Sequence, residues 1–316
     1  MNLNTVTRKF KTEEECLEHL EKTRWPDGVR CPTCGCDRVC KGTRKPSAKN
    51  HRTRFYQCLE PSCKAQFSAT NGTIFHRSHI PLSTWFMAIT LIMDAKKGMS
   101  ALQLQGHLGI GSYKTAWYMC HRIRKAMVDS DPAPLDGTVE VDETYLGGTA
   151  IRKFRKTPVV RPPKDTVLAL RERSFKGKVG RVRFFHIPDA KRDTIHPIIE
   201  ANVSPYVRRL ITDQSSIYDK PVSADLGRVH RTVNHSIEWI VPGTRIHTNT
   251  VESAFRLLKR GLIGSFHRVS VKHLHRYLTE FEYRFNARKA EDRFTMALSA
   301  MLNKPHMPFK ALTASE

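Results

Sequence analysis

Six of the eight cysteines in this 316-residue chain fall between positions 31 and 63, and they constrain the local fold more than any other feature. Cys31-Pro-Thr-Cys34 and Cys58-Leu-Glu-Pro-Ser-Cys63 make two pairs on separate turns, the arrangement a tetrahedral ion needs from soft thiolate ligands. We therefore expect a zinc ribbon in which Cys31, Cys34, Cys58 and Cys63 hold a structural Zn²⁺. Cys36 and Cys40 are surplus, and either replaces a ligand if the four-residue spacer of the second pair fails to close. Cys16 and Cys120 fall at helical positions and are expected as buried free thiols. The opening "MNLNTVTRKFKTEEECLEHL" carries charges where a secretory signal has its apolar core, so a cytoplasmic protein with reduced thiols is expected.

Lys and Arg number 53 against 30 Asp and Glu, a formal charge of +23 that favours a polyanionic partner, nucleic acid first. A membrane partner is not expected, because there is no apolar run of about 18 residues and no isolated basic amphipathic helix.

The length suits separate modules. Residues 13–22 read as a short helix, and the N-terminal helix and ribbon are expected over 1–72. An apolar helical run spans Pro81 to Met93, and two more helices are broken at Gly109 to Ser112, which gives a helix-turn-helix-like domain over 73–130. Its second helix, beginning near Tyr113, carries Lys114, Arg122 and Arg124 as candidate DNA contacts, with Met119, Ile123 and Met127 toward the core. An ordinary helical hairpin with a solvated basic face fits the same pattern. "VDSDPAPLDG" is the expected linker into a domain over 131–305, followed by a tail over 306–316.

In that domain β-type runs occur at Thr138 to Val141, Thr166 to Leu170, Arg181 to His186 and Arg209 to Thr212. Helical patterns cover Ile195 to Asn202, Val251 to Leu262 and Lys272 to Arg288. The basic, proline-bearing stretch at 151–164 is expected as a loop that embraces a phosphate backbone. Alternation in "TVEVDETYLGG" puts Val139 and Val141 on one face and Glu140 and Asp142 on the other, with Asp142 at the strand end. Asp213 ends a second apolar strand, "RRLITD", and strand ends are where such sheets bind ligands. "HTNTVESAFRLLKRG" adds Glu252, with Lys259 two helical turns further along the same face. Three carboxylates suit hard divalent cations, and two such ions activate a nucleophile and stabilise a leaving 3′ oxygen. A competing reading makes Asn249 and Glu252 a capping box, which would give the glutamate a structural role.

Together "CPTCG", "QFSATNGTIFHRS", "VEVDETYLGG", "LITDQSSIY", "VNHS" and "HTNTVESAFRLLKRGLIGSFHRVSVKHLHRYLTEFEYRFNAR" resemble a DDE transposase of a bacterial insertion sequence, of the group with an N-terminal zinc ribbon. The resemblance runs from about Lys11 to about Leu302. It implies an α/β, ribonuclease-H-like mixed sheet with flanking helices. The implied activity is cleavage at the 3′ ends of the element's terminal inverted repeats and joining of those ends to target DNA, with two Mg²⁺ (or Mn²⁺). Asp142, Asp213 and Glu252 fall on the family's acids, Asn249 shares the third position, and Lys259, with Arg260 beside it, falls on the basic residue that touches the transposon end. The implied partners are transposon-end and target double-stranded DNA, on which a homo-oligomer assembles, and the implied location is the bacterial nucleoid. The family's second cysteine pair has a two-residue spacer; this one has four. Two rivals remain at the level of sequence: a sequence-specific DNA-binding regulator with an inert nuclease-like domain, and a structure-specific nuclease that hydrolyses without joining.

Overall fold

The computed structural model describes residues 1–45, 54–147, 165–218, 222–302, 304–305 and 307–314. The chain divides into two compact units, Met1–Val128 with Ala290–Glu316, and Asp129–Lys289.

The first unit opens with α1 (Leu3–Lys9) and α2 (Glu13–Arg24). A capping box starts α2: Thr12 Oγ1 accepts from the Glu15 amide at 3.2 Å, and Glu15 Oε2 accepts from the Thr12 amide at 2.9 Å. The strands β1 (Val39–Thr43), β2 (Arg54–Cys58) and β3 (Gln66–Phe67) then form an antiparallel sheet in that order. So small a sheet has little core, and Trp25, Tyr56 and Phe67 supply it with ring centroids 5.7–5.9 Å apart, next to the cysteines. Three helices follow, α3 (Leu82–Asp94), α4 (Ala101–Leu108) and α5 (Tyr113–Ala126). Leu82, Trp85, Phe86, Ile89 and Ile92 make α3 the apolar centre of the unit. Gly109 ends α4 at φ +62°, a left-handed conformation that costs glycine little, and α5 restarts four residues later, so the expected break is present.

The second unit contains β4 (Thr138–Leu146), β5 (Asp165–Glu172), β6 (Val182–Ile187), α6 (Arg192–Asn202), β7 (Arg209–Asp213), α7 (Ala224–Val229), β8 (His230–Val233), α8 (Asn249–Gly261) and α9 (Val271–Asn286). The sheet order is β6-β5-β4-β7-β8; the first two pairings are antiparallel and the last two parallel. This is the mixed, ribonuclease-H-like sheet. Both faces are covered, as the strand alternation requires. Leu168 and Leu170 pack with Val139, Val141, Leu210 and with Ile195 and Ile199 of α6. Val167 and Ala169 pack on the other face with Val251, Phe255 and Leu258 of α8 and with Leu274 and Phe281 of α9. Strand β8, sequence His-Arg-Thr-Val, was not expected, because only Val233 of its side chains is buried. Asp142 does not end its strand: β4 continues to Leu146, since β5 pairs with it from Glu172 through Asp165.

The last helices, α10 (Arg293–Leu302) and α11 (Phe309–Thr313), return to the first unit. The Phe294 ring lies edge-on to Phe86 at 5.4 Å and tilted against Phe10 at 5.9 Å, and Phe309 lies 5.4 Å from Tyr118, whose hydroxyl donates to the Met307 carbonyl. The contacts thus differ from the expected 131–305 domain and 306–316 tail, because the apolar face of α10 finds its partners on α2, α3 and α5. The basic stretch 151–164 lies outside the described residues. No described helix is long and apolar enough to cross a membrane.

Candidate metal centres and the acidic face

Two turns build the cysteine site. After α2, the Gly35 amide donates to the Cys31 carbonyl at 2.8 Å and the Cys31 amide to the Cys36 carbonyl at 2.9 Å, which curls Cys31 and Cys34 toward one point. Beyond β2, the amides of Cys63 and Lys64 both donate to the Glu60 carbonyl at 3.0 Å, and Lys64 takes φ +47°. That turn absorbs the longer spacer. The Sγ atoms of Cys31, Cys34, Cys58 and Cys63 lie within 4.8 Å of one another, with Cys31 to Cys63 at 3.7 Å and Cys34 to Cys58 at 3.6 Å. Four thiols at this separation, with no His or carboxylate and no open position, fit a structural Zn²⁺. Cys36 instead accepts the Arg38 amide at 3.4 Å, and Cys40 is an exposed residue of β1.

The acids are assembled over longer distances. Strands β4 and β7 run parallel with Val139 opposite Leu210 and Glu140 opposite Ile211. Asp142 and Asp213 each lie two residues beyond the last of these pairs, so the register sets them level on adjacent strands, where spacing is about 4.8 Å. Alternation turns both away from the face that Val139 and Leu210 share with α6, and toward the face on which α8 packs. The Glu143 amide donates to Asp142 Oδ1 at 2.8 Å, and the Ser215 amide to Asp213 Oδ1 at 3.3 Å. Burial pushes the Asp142 carboxyl up to about 7; the charges of Glu143, Asp213 and Glu252 add to the rise, and the Glu143 amide opposes it. Burial also raises Asp213, against the Ser215 amide and the nearby His235. Asp142 therefore lies in the combined field of acids from β4, β7 and α8.

Glu252 is in the first turn of α8 and pairs with Arg256 at 3.2 Å, one turn on. The capping box with Asn249 is not formed: Asn249 is itself the exposed first residue of the helix, Thr248 precedes it without a side-chain cap, and Glu252 turns to Arg256 instead. Among the described residues the cysteines are the one group of three or more ligand-type side chains whose donor atoms converge, so the three acids are not drawn into a second such cluster. Their chemistry, partly buried carboxylates whose charges repel Asp142, suits a hard divalent cation.

The expected DNA contacts are distributed unevenly. Lys259 is half-buried and Arg260 exposed on α8, and Lys114 is exposed on α5 with its ammonium 4.5 Å from the Phe309 ring. Arg122 and Arg124, expected on a DNA-facing surface, are buried instead. Arg122 donates to the His76 carbonyl at 2.7 Å and lies over the rings of Trp85 and Tyr118, 5.3 and 5.2 Å from their centroids. Every residue from Met119 to Arg124 is buried, so this stretch of α5 is a core helix and its guanidiniums serve the core.

Sequence reasoning placed Glu140 on the Asp142 face but gave it no role. In the structure it is fully buried, and its Oε2 accepts from the amides of Thr250 and Val251, each at 2.8 Å. Glu143 was also passed over; its Oε2 accepts from the Tyr218 hydroxyl at 3.0 Å. The signal available for Glu140 was a charged residue at an inward position of a strand otherwise rich in valine.

A ribonuclease-H-like sheet carrying acids on adjacent strands, in a chain that also folds a four-cysteine ribbon, is consistent with the transposase class. Residues 134–286 match the ISXO2-like transposase domain, and residues 11–66 match the transposase zinc-ribbon domain. A relative in Halobacterium salinarum, described as an uncharacterized protein in transposable element ISH50, is 28% identical over 290 residues, which cover 88% of this chain and 92% of that protein. The chain belongs to the insertion-sequence transposases with an N-terminal zinc ribbon. Membership implies a protein that binds DNA.

Proposed function

We propose that this transposase binds the terminal inverted repeats of its element, cleaves their 3′ ends and joins them to target DNA. Asp142, Asp213 and Glu252 are the metal-holding acids of this reading, with Asn249 beside the third. The observation that carries it is the β4–β7 register, which levels Asp142 with Asp213 on the face against which α8, the helix that bears Glu252, packs its apolar side. Two bound Mg²⁺ or Mn²⁺ ions supply activation of the attacking oxygen and charge stabilisation at the leaving one. In the first step water attacks the phosphorus, a new P–O bond forms, and the bond to the 3′ oxygen breaks, leaving a 3′ hydroxyl after protonation. In the second, that hydroxyl attacks a target phosphate in the same way and displaces the target's 3′ oxygen.

The protein's share is orientation. Asp142 and Asp213 from the sheet and Glu252 from the helix would hold the cations, and Lys259 and Arg260 hold the backbone of the end DNA through charge. The exposed Lys114 adds a phosphate contact from α5. Two ends must be brought together, so the working form is a homodimer or larger on DNA, in the bacterial nucleoid. Incubating the purified chain with labelled end DNA, target DNA and Mg²⁺ tests the reading. Cleaved ends and joined products are expected from the wild type and neither from Asp142→Asn; hydrolysis without joining would identify a nuclease, and binding without either a regulator.

A further inference from the structure

Helix α8 begins with amides, those of Thr250 and Val251, that its own cap does not satisfy: the Asn249 amide reaches His247 Nδ1 at 3.3 Å, the Thr248 hydroxyl is engaged with His235 at 2.7 Å, and Glu252 turns to Arg256. A carboxylate from the sheet meets them. Glu140 Oε2 accepts from the Thr250 and Val251 amides, while its Oε1 accepts from Arg173 Nε and lies 3.6 Å from His247 Nδ1. Arg173 extends the tie, donating to the carbonyls of Arg245 at 2.7 Å and His247 at 2.8 Å in the segment that leads into the helix. One buried side chain therefore joins the strand that carries Asp142, two residues on, to the helix turn that carries Glu252, one residue past Val251.

We infer that Glu140 is a positioning residue: by capping α8 from β4, it fixes the separation between the first and third acids, and with it the affinity of the acidic face for divalent cations. A negative charge suits this place because the helix dipole, two amides and the Arg173 guanidinium all converge on it. A ligand role for Glu140 itself is excluded by its bonding, since both oxygens are engaged with the helix and with Arg173. The inference rests on the metal-holding reading of Asp142, Asp213 and Glu252 but is tested separately from cleavage.

Glu140→Asp keeps the charge opposite Arg173 and withdraws the oxygens by one methylene from the α8 amides. In the full-length, zinc-loaded chain without DNA, hydrogen exchange across residues 249–253 should quicken at least tenfold while β4 and β5 keep their protection. Mn²⁺ binding followed by electron paramagnetic resonance should weaken at least fivefold. Glu140→Gln, of native length with one acceptor oxygen, gives the same two readings if the shorter side chain loses cooperative melting. Unchanged exchange would overturn the capping role, and faster exchange with unchanged Mn²⁺ affinity would reduce Glu140 to a structural ion pair. If the wild type binds Mn²⁺ but cuts no DNA, the functional reading fails while this inference stands or falls on the same two measurements.

Discussion

The ribbon and the acidic face both bring metal-type ligands together, and they do so by opposite routes. In the ribbon, two short turns set four thiols within 4.8 Å of one another, each turn closed by backbone bonds only a few residues long. On the acidic face, the candidates come from positions 142, 213 and 252 and are held by strand register and helix docking, and their donor atoms do not converge to the same degree. Soft ligands that close a site can be preset by local turns. Carboxylates that must stay ionised and open to a substrate repel one another, and only the surrounding fold keeps them near.

The sharpest way to break this contrast is to remove zinc. Structural zinc sites contribute about 10–16 kcal/mol of apparent binding energy in zinc-finger peptides, so a chelator selective for zinc should unfold the ribbon, read as loss of exchange protection across residues 25–45 and 54–67. The unit Asp129–Lys289 should keep its melting transition, because its two cores depend on no cysteine. Coupled loss of both would contradict the division.

The next effect concerns charge on the acidic face. Asp142 has its carboxyl raised to about 7, by burial first and then by the neighbouring acids, so its ionised form destabilises the fold above that pH, by an amount on the order of a few kcal/mol. The penalty shrinks as pH falls and is absent below the ordinary carboxylate range. Asp142→Asn should therefore melt higher than the wild type near about pH 8 and lose that advantage by about pH 4. Differential scanning calorimetry of the two proteins across this range reads the sign; a variant less stable at every pH would show that Asp142 is held by attraction.

A smaller effect separates core cations from contact cations. Arg122→Ala should destabilise the first unit by about 2 kcal/mol in denaturant melts, through lost ring packing and an orphaned carbonyl, and leave the salt dependence of DNA binding unchanged. Lys259→Ala should do the reverse, with stability nearly unchanged and the slope of log affinity against log salt reduced by about 1. Equal slopes for wild type and Lys259→Ala would remove that lysine from the interface.

How far the sequence revealed this architecture follows from the range of each interaction. The cysteine pairs, the broken α4–α5 helices and the apolar stripe of α8 are short-range patterns, and all are present. Valines at alternate positions of β4 disclosed which way Asp142 faces, but not that the strand runs on to Leu146, since that is decided by β5. The burial of Arg122 and Arg124 was hidden because a count of charges treats guanidinium as surface, whereas here rings and a carbonyl receive it. Phe294 meeting Phe10 and Glu140 capping a helix that starts at Asn249 join residues too distant for any local pattern to report.

The central claim is that acids from β4, β7 and α8 act as one divalent-cation site. Counting Mn²⁺ bound to the zinc-loaded chain on end DNA tests it most directly, with the wild type compared with Asp142→Asn, Asp213→Asn and Glu252→Gln. Two ions per chain lost or greatly weakened in each variant is the predicted result. Ions that bind all four proteins alike would contradict it.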